Sequence, residues 1–225
     1  MTGLLLGIDT CGPTGSVALG RFAGGSVEIL EQIELEGRSY SATLVTAVSH
    51  LLSHAAAKVS DLSAIVAVNG PGSFTGVRVG LSAVKGLAEA AQIPVVAVSR
   101  LEVLGWKAGV GSAALDAHRH EVFLRLGEAG GTARELLAGA DELAALRPTE
   151  RKIALCDEEA GVLLSSAWPA VTLLLTGPPT AADALKLCTK RVDQADFVDL
   201  ALVDANYLRR SDAEIFGEAA KAQSA

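Results

Sequence analysis

"NGPGSFTGVRVG", residues Asn69 to Gly80, decides how the chain is read. A glycine-rich turn with Pro71 at its centre runs into an apolar helix, whose first turn leaves backbone N–H groups without intrahelical partners. Such an end favours an anion, because the free N–H groups and the positive end of the helix dipole point to the same place. It is no P-loop: Val77 and Arg78 follow Gly76, so the lysine and hydroxyl of G-x-x-x-x-G-K-[ST] are absent. Two readings stand at this level. Gly72 and Ser73, with Asp9 and Thr10 from the end of the first strand, line an anion or nucleotide cleft. Alternatively the glycines only permit a sharp turn and a close helix approach, while Asp9 and Thr10 cap their own turn.

Outward from this stretch the order of elements emerges. Upstream, 64–68 (AIVAV) is a short continuous apolar run that suits a strand buried on both faces. Before it, Leu44, Val45, Val48, Leu51, Leu52 and Ala55 recur at helical spacing. Residues 3–9, 15–21 and 26–35 read as a three-stranded meander joined by "TCGPTG" and "FAGG". Downstream, a helix from about Thr75 to Ala91 precedes a further buried strand in "IPVVAVS". The order β-β-β-α-β-α-β predicts an α/β fold of the actin-like ATPase or ribonuclease-H-like kind, with residues 1–105 as its first lobe. After Trp106 the cycle restarts more weakly. A hairpin over 112–126, a helix over 139–146, strands over 152–157 and 171–175, and a helix over 180–190 predict a smaller second lobe, 106–225, with a polar tail. Each lobe is expected to be a mixed sheet with helices.

Composition narrows the function. A net charge of −7 opposes the basic footprint of independent nucleic-acid binding, and few aromatics are available to stack on bases. Charges interrupt every apolar run before the roughly 18 residues of a membrane span, and "MTGLLLGIDT" meets Asp9 with no basic leader, so a cytoplasmic protein with no membrane contact is expected. Cys11, Cys156 and Cys188 are odd in number and far apart, which suits small core residues in a reducing compartment. Cys11 stands in a turn where a nucleophile could sit, but no motif supplies its base.

Two sets of histidines invite a metal. His50 and His54 share a helix face, yet no glutamate follows His50 as a peptidase base would, and the pair suits the helix C-terminus, where the dipole favours imidazolium. Asp116, His118 and His120 alternate along the hairpin, so all three could face one side. A solvated turn is the plainer reading of the second set, and no metal site is expected at either.

The second helix is apolar nearly all round, through Val77, Gly80, Leu81, Ala83, Val84, Leu87, Ala88, Ala90 and Ala91, so it must be covered on two sides. One side packs on its own sheet; the other calls for a partner, or for burial under the second lobe.

Five stretches together resemble one family: "GIDT" (Gly7 to Thr10), "GPGSFTGVRVG" (Gly70 to Gly80), "AVSRLEVL" (Ala97 to Leu104), "LDAHRHEVF" (Leu115 to Phe123) and "YLRR" (Tyr207 to Arg210). The family is TsaB, or YeaZ, in the ASKHA class, and the likeness runs in order along nearly the whole chain. It implies a subunit of the bacterial complex that adds threonylcarbamoyl to the adenosine beside the anticodon, in tRNAs reading codons that start with A. In TsaD, the catalytic paralogue, the strand after the glycine loop resembles V-N-H-M-E-G-H, whose two histidines hold a metal. Here Arg100 and Leu104 take those places, and neither can ligate a cation. The resemblance therefore implies an inactive scaffold with no catalytic residue and no required cofactor, and leaves room for weak ATP or ADP binding in the cleft or at a subunit interface. It implies TsaD and TsaE as partners, a homodimer in isolation, and tRNA contact only through the complex. The implied interface uses Leu44, Val48 and Leu51 of the first helix with Gly80, Ala83, Val84 and Leu87 of the second. Tyr40 and Ala205 depart from the histidine and proline common in relatives. The rival enzyme reading, an ASKHA-type ATP-dependent phosphotransferase or ATPase using Asp9 and Thr10, lacks a second D-x-G phosphate loop and an adenosine loop.

Overall fold

A computed structural model describes residues 2–127 and 132–209. The N-terminal meander is β1 (Gly3–Asp9), β2 (Thr14–Ala23) and β3 (Ser26–Glu36), paired antiparallel. Helix α1 (Tyr40–His54) leads to β4 (Leu62–Val68), and α2 (Phe74–Ala91) leads to β5 (Val95–Val98). Strands β4 and β5 add parallel to β1, giving the order β3-β2-β1-β4-β5. Central β1 and β4 are apolar at nearly every position because both faces are covered, whereas edge strand β3 is half-buried through its middle and exposes residues toward both ends.

The second sheet repeats that topology. Strands β6 (Ala113–Asp116), β7 (Val122–Gly127) and β8 (Ala133–Ala138) form an antiparallel meander. After α4 (Ala140–Ala145), β9 (Lys152–Leu155) pairs parallel to β6; after α5 (Glu158–Ala167), β10 (Thr172–Leu175) joins β9. The order β10-β9-β6-β7-β8 is the first sheet's order written backwards, so two mixed five-stranded sheets with helices make the α/β fold expected from the sequence.

Each lobe ends in a helix that crosses to the other sheet. Helix α3 (Arg100–Lys107) follows β5, yet Leu101 and Leu104 pack with Ala113, Leu115, Phe123 and Ala154 of the second sheet. Helix α6 (Ala181–Leu187) follows β10, yet Ala181, Ala184 and Leu185 belong to the core of the first sheet, as does Val192 of α7 (Thr189–Asp193). The 180–190 helix, grouped with the second lobe by chain order, thus covers β1 and β2. Its approach needs bare backbone beneath it: a Cβ on Gly7 would stand 2.8 Å from the Ala181 carbonyl oxygen. The Ala181 N–H donates to buried Ser16 Oγ at 2.8 Å, which fixes the start of α6 over β2. Lys107 Nζ ties the crossing helices together, reaching Asp183 Oδ2 at 2.8 Å and the Pro178 carbonyl at 2.9 Å.

Three elements differ from the sequence reading. Residues 98–104, compared above with a strand, are the end of β5 and the first turn of α3, capped by Ser99 Oγ accepting the Leu101 N–H. The pattern missed β8, whose "ARELLA" favours helix and is held extended by pairing with β7 and by Arg125–Glu135 at 2.8 Å. It also missed α5, in which Gly161 and two serines weaken the helical signal that Asp157 opens by capping the Ala160 N–H. The tail from 210 onward lies outside the described residues.

Candidate functional site

The end of β1, the glycine turn and the start of α3 meet between the two sheets. Asp9 is fully buried; its Oδ1 accepts the Cys11 N–H at 2.8 Å, an Asx-type closure of "TCGPTG". Its Oδ2 faces Arg100 Nε at 3.8 Å, and both atoms are buried without a hydrogen-bond partner. Burial pushes the Asp9 carboxyl above its ordinary range, and the Arg100 guanidinium pulls it back. That guanidinium lies over Gly12, where a Cβ would stand 2.4 Å from Nη2, so the turn is open at the point where the cation lies. Tyr40 seals the other side with its hydroxyl donating to the Gly12 carbonyl at 2.8 Å.

The glycine turn is welded to β1. The Ser73 N–H donates to the Cys11 carbonyl at 2.8 Å, and Thr10 Oγ1 donates to the Gly76 carbonyl at 2.7 Å. A Cβ on Gly76 would stand 2.1 Å from the Thr10 carbonyl oxygen and one on Gly80 2.2 Å from Thr10 Oγ1, so both glycines are where strand and helix nearly touch. Ser73 caps α2, its Oγ accepting the Gly76 N–H. Asp9, Thr10, Gly72 and Ser73 therefore do come together, with the N–H groups of Ser73, Gly76 and Val77 all used inside the chain. Leu104 is fully buried one turn beyond Arg100, against the second sheet.

Helices α1 and α2 offer a second surface. Of the seven residues expected to face a partner, Leu44, Val48, Leu51, Gly80 and Val84 are buried inside this chain, and only Ala83 and Leu87 reach the surface in part. The five buried residues cover the chain's own sheet, which a dense apolar stripe on a surface helix does first. What remains outside is a groove of about 550 Å³ lined by Ser41, Val45, Phe74, Arg78, Ser82 and Ala83 among others. Within it two large apolar side chains stand in water together, Val45 at 70% exposure and Phe74 at 46%. The 203–209 stretch is tied to the groove's lining: Arg78 Nε donates to Tyr207 Oη at 2.7 Å and its guanidinium lies 3.8 Å over the Phe74 ring. The Asn206 N–H donates to the Asn69 carbonyl, and Asn206 Nδ2 to Glu135 Oε2, so "NYL" joins the glycine turn to the second sheet. Sequence reasoning gave "YLR" no such structural role; the aromatic-plus-arginine pairing of Phe74, Arg78 and Tyr207 was its available signal. Ala205 donates its N–H to Asp204 Oδ1, a bond that proline could not make.

Asp116 and His118 pair at 2.7 Å in the β6–β7 turn. Among the described residues, ligating side chains gather in a group of three at Glu31, His50 and His54 rather than with His120. Cys11 is buried and its thiol donates to the Val68 carbonyl, while desolvation raises its pKa, so it is no poised nucleophile. No helix of the described residues is long and apolar enough to cross a membrane.

Comparison with known proteins bears on this arrangement. A family model, TsaD: tRNA N6-adenosine threonylcarbamoyltransferase, matches residues 28–141, half of the chain. The tRNA threonylcarbamoyladenosine biosynthesis protein TsaB of Bacillus subtilis is 38% identical over 126 residues, 54% of each chain. The match thus spans about half the length of this relative, and likewise of the Escherichia coli one. An uncharacterized protein of Mycobacterium tuberculosis is 30% identical over 82% of this chain and 96% of its own. The solved structure of YeaZ from Pseudomonas aeruginosa superposes with a TM-score of 0.72 at 28% identity, over 92% of this chain and all of that one. Sequence and overall fold agree that the chain belongs to the TsaD family, in its TsaB (YeaZ) branch.

Proposed function

We propose that this chain takes part in tRNA threonylcarbamoyladenosine biosynthesis as a non-catalytic subunit that docks on a TsaD-type enzyme through the groove between α1 and α2. One observation carries the reading: Val45 and Phe74 stand exposed on either side of an apolar groove whose floor includes Ala83, a small residue that lets another helix come close. An interface of standard size covers about 800 Å² on each partner, which two such helices packed on two equivalent helices would reach. In isolation the same face would pair two copies of this chain. TsaE and tRNA join through the enzyme, since an acidic surface does not attract RNA by itself.

Two features support a non-catalytic role. Arg100 brings a fixed cation to Asp9, at the place where the TsaD-like pattern has a metal-binding histidine, and Leu104 at the second place is buried in the core. Neither side chain supplies a lone pair. No cofactor is needed for docking. The test is reconstitution of tRNA modification from purified components with this chain added, omitted or carrying Val45→Arg. The modification should depend on the chain and fall with the variant; modification that is equally fast without it overturns the reading.

A further inference from the structure

Glu31 stands on edge strand β3, and His50 and His54 lie one turn apart near the end of α1. Helical spacing puts the two imidazoles side by side, with ring centroids 5.4 Å apart. The packing of α1 on the meander then brings the carboxylate to both: His54 Nδ1 is 2.9 Å from Glu31 Oε2, and His50 Nδ1 is 3.8 Å from Oε1. The ligand atoms of all three lie within 4.8 Å of one another.

We propose that Glu31, His50 and His54 form a binding site for a divalent transition-metal ion of the zinc class. Two imidazole nitrogens and one carboxylate oxygen are the donor set that zinc, cobalt, nickel and copper take, whereas magnesium and calcium prefer oxygen throughout. The sequence alone lacked the third ligand: no acidic residue on α1 completes the pair, and only the fold brings Glu31 from the neighbouring strand. The ion displaces the hydrogen bond between His54 and Glu31 and ties the C-terminal end of α1 to the sheet edge. With the imidazoles 59% and 72% exposed, the outer coordination positions face water, so the ion is exchangeable. The site is separate from the groove: Val45 and His54 are nine residues apart on α1, which places them on opposite sides of the helix.

The experiment is calorimetric titration of the tag-free full-length chain with Zn²⁺ and, separately, with Mg²⁺, with Co²⁺ absorption reporting coordination geometry. One Zn²⁺ per chain is expected, with no Mg²⁺ response. Glu31→Gln and His54→Gln should each weaken Zn²⁺ binding at least about tenfold and remove the intense visible Co²⁺ bands. Zn²⁺ should also raise the melting temperature of the wild type and leave that of His54→Gln where it was. Both imidazoles are exposed and Glu31 is half-buried, and unchanged metal-free melting shows that each variant is folded. A His118→Gln/His120→Gln variant should bind like the wild type. Zn²⁺ binding that survives both Glu31→Gln and His54→Gln, binding lost with His118 and His120, or a wild-type Co²⁺ spectrum of the weak octahedral kind overturns the proposal.

Discussion

Asp9 Oδ2 and Arg100 Nε face each other across 3.8 Å with no hydrogen bond to either atom, deep between the two sheets. A buried pair this loose adds little net stability, because desolvation of both charges offsets their attraction, but removal of one partner leaves the other charge uncompensated. Arg100→Ala should therefore cost about 3–5 kcal/mol in urea unfolding at pH 7. The double variant Asp9→Asn/Arg100→Leu should recover most of that loss; a double variant as unstable as the single one would show that the guanidinium acts by packing alone.

The same pair gives a pH signature. Burial raises the folded-state pKa of Asp9 above its ordinary 3.8, so the native chain holds this proton more tightly than the unfolded one. The contribution of Asp9 to stability is therefore full below the unfolded pKa and lost as pH rises through the raised native value. Arg100→Ala removes the pull toward the charged form and lifts the native pKa further. Its deficit relative to the wild type should shrink as the solution is acidified from pH 7 to pH 5, measured by urea midpoints. A deficit that grows on acidification would contradict the assignment.

Burial also separates two substitutions that look alike in the sequence. Val84 is fully buried and Val45 is 70% exposed, although both lie on apolar stripes of neighbouring helices. Val84→Arg should prevent folding, by forcing a charge into the first core. Val45→Arg should leave the melting temperature within a few degrees and abolish capture by a TsaD-type enzyme. Full capture by a folded Val45→Arg chain would remove the groove from the proposed interface.

These contrasts show how far the sequence could be read. The first sheet, α1 and α2 were legible because strand alternation and helical spacing are strong there and the glycine turn punctuates them; β1 matches its expected bounds, Gly3–Asp9. Helix α3 was not, because "RLEVLGWK" continues directly from the apolar run of β5, with only Ser99 to mark the change. Which side of α1 and α2 stays wet was also hidden: an apolar residue signals burial, not the partner that supplies it. Glu31 belongs to the same class of omission, since 19 residues separate it from His50 and only the packing of α1 on β3 joins them.

Two glycines of α2 should respond in opposite directions. A Cβ at Gly80 would stand 2.2 Å from Thr10 Oγ1, whereas at Gly86 it would meet nothing within 4 Å. Gly80→Ala must push Thr10 away from the Gly76 carbonyl and should cost about 1–3 kcal/mol. Gly86→Ala only reduces the freedom of the unfolded chain and should stabilise by about 0.5–1 kcal/mol, a rise of roughly 1–4 °C in thermal melting. Equal shifts for the two would mean that Thr10 is not the contact that matters.

Thiol labelling gives an independent check on the cores. Cys11 and Cys188 are buried, and desolvation raises the first thiol well above its usual range and the second to about 12. Neither should react with iodoacetamide at pH 7.5 in the native chain, and both should react at once in denaturant. Half-buried Cys156, also raised by desolvation, should label slowly. Rapid native labelling of Cys11 would mean that the turn beneath Arg100 opens readily.

The exchange of terminal helices between the lobes also bears on synthesis at the ribosome. The sheet that emerges first has to wait, with the strip over Gly7 and Ala18 bare, until Ala181 to Val192 have left the exit tunnel and can settle on it. A gene cut after residue 105 would release a product with that strip permanently open to water, prone to clump with its neighbours. Anyone who wishes to divide this protein will do better to express the whole and open the loops than to separate its halves.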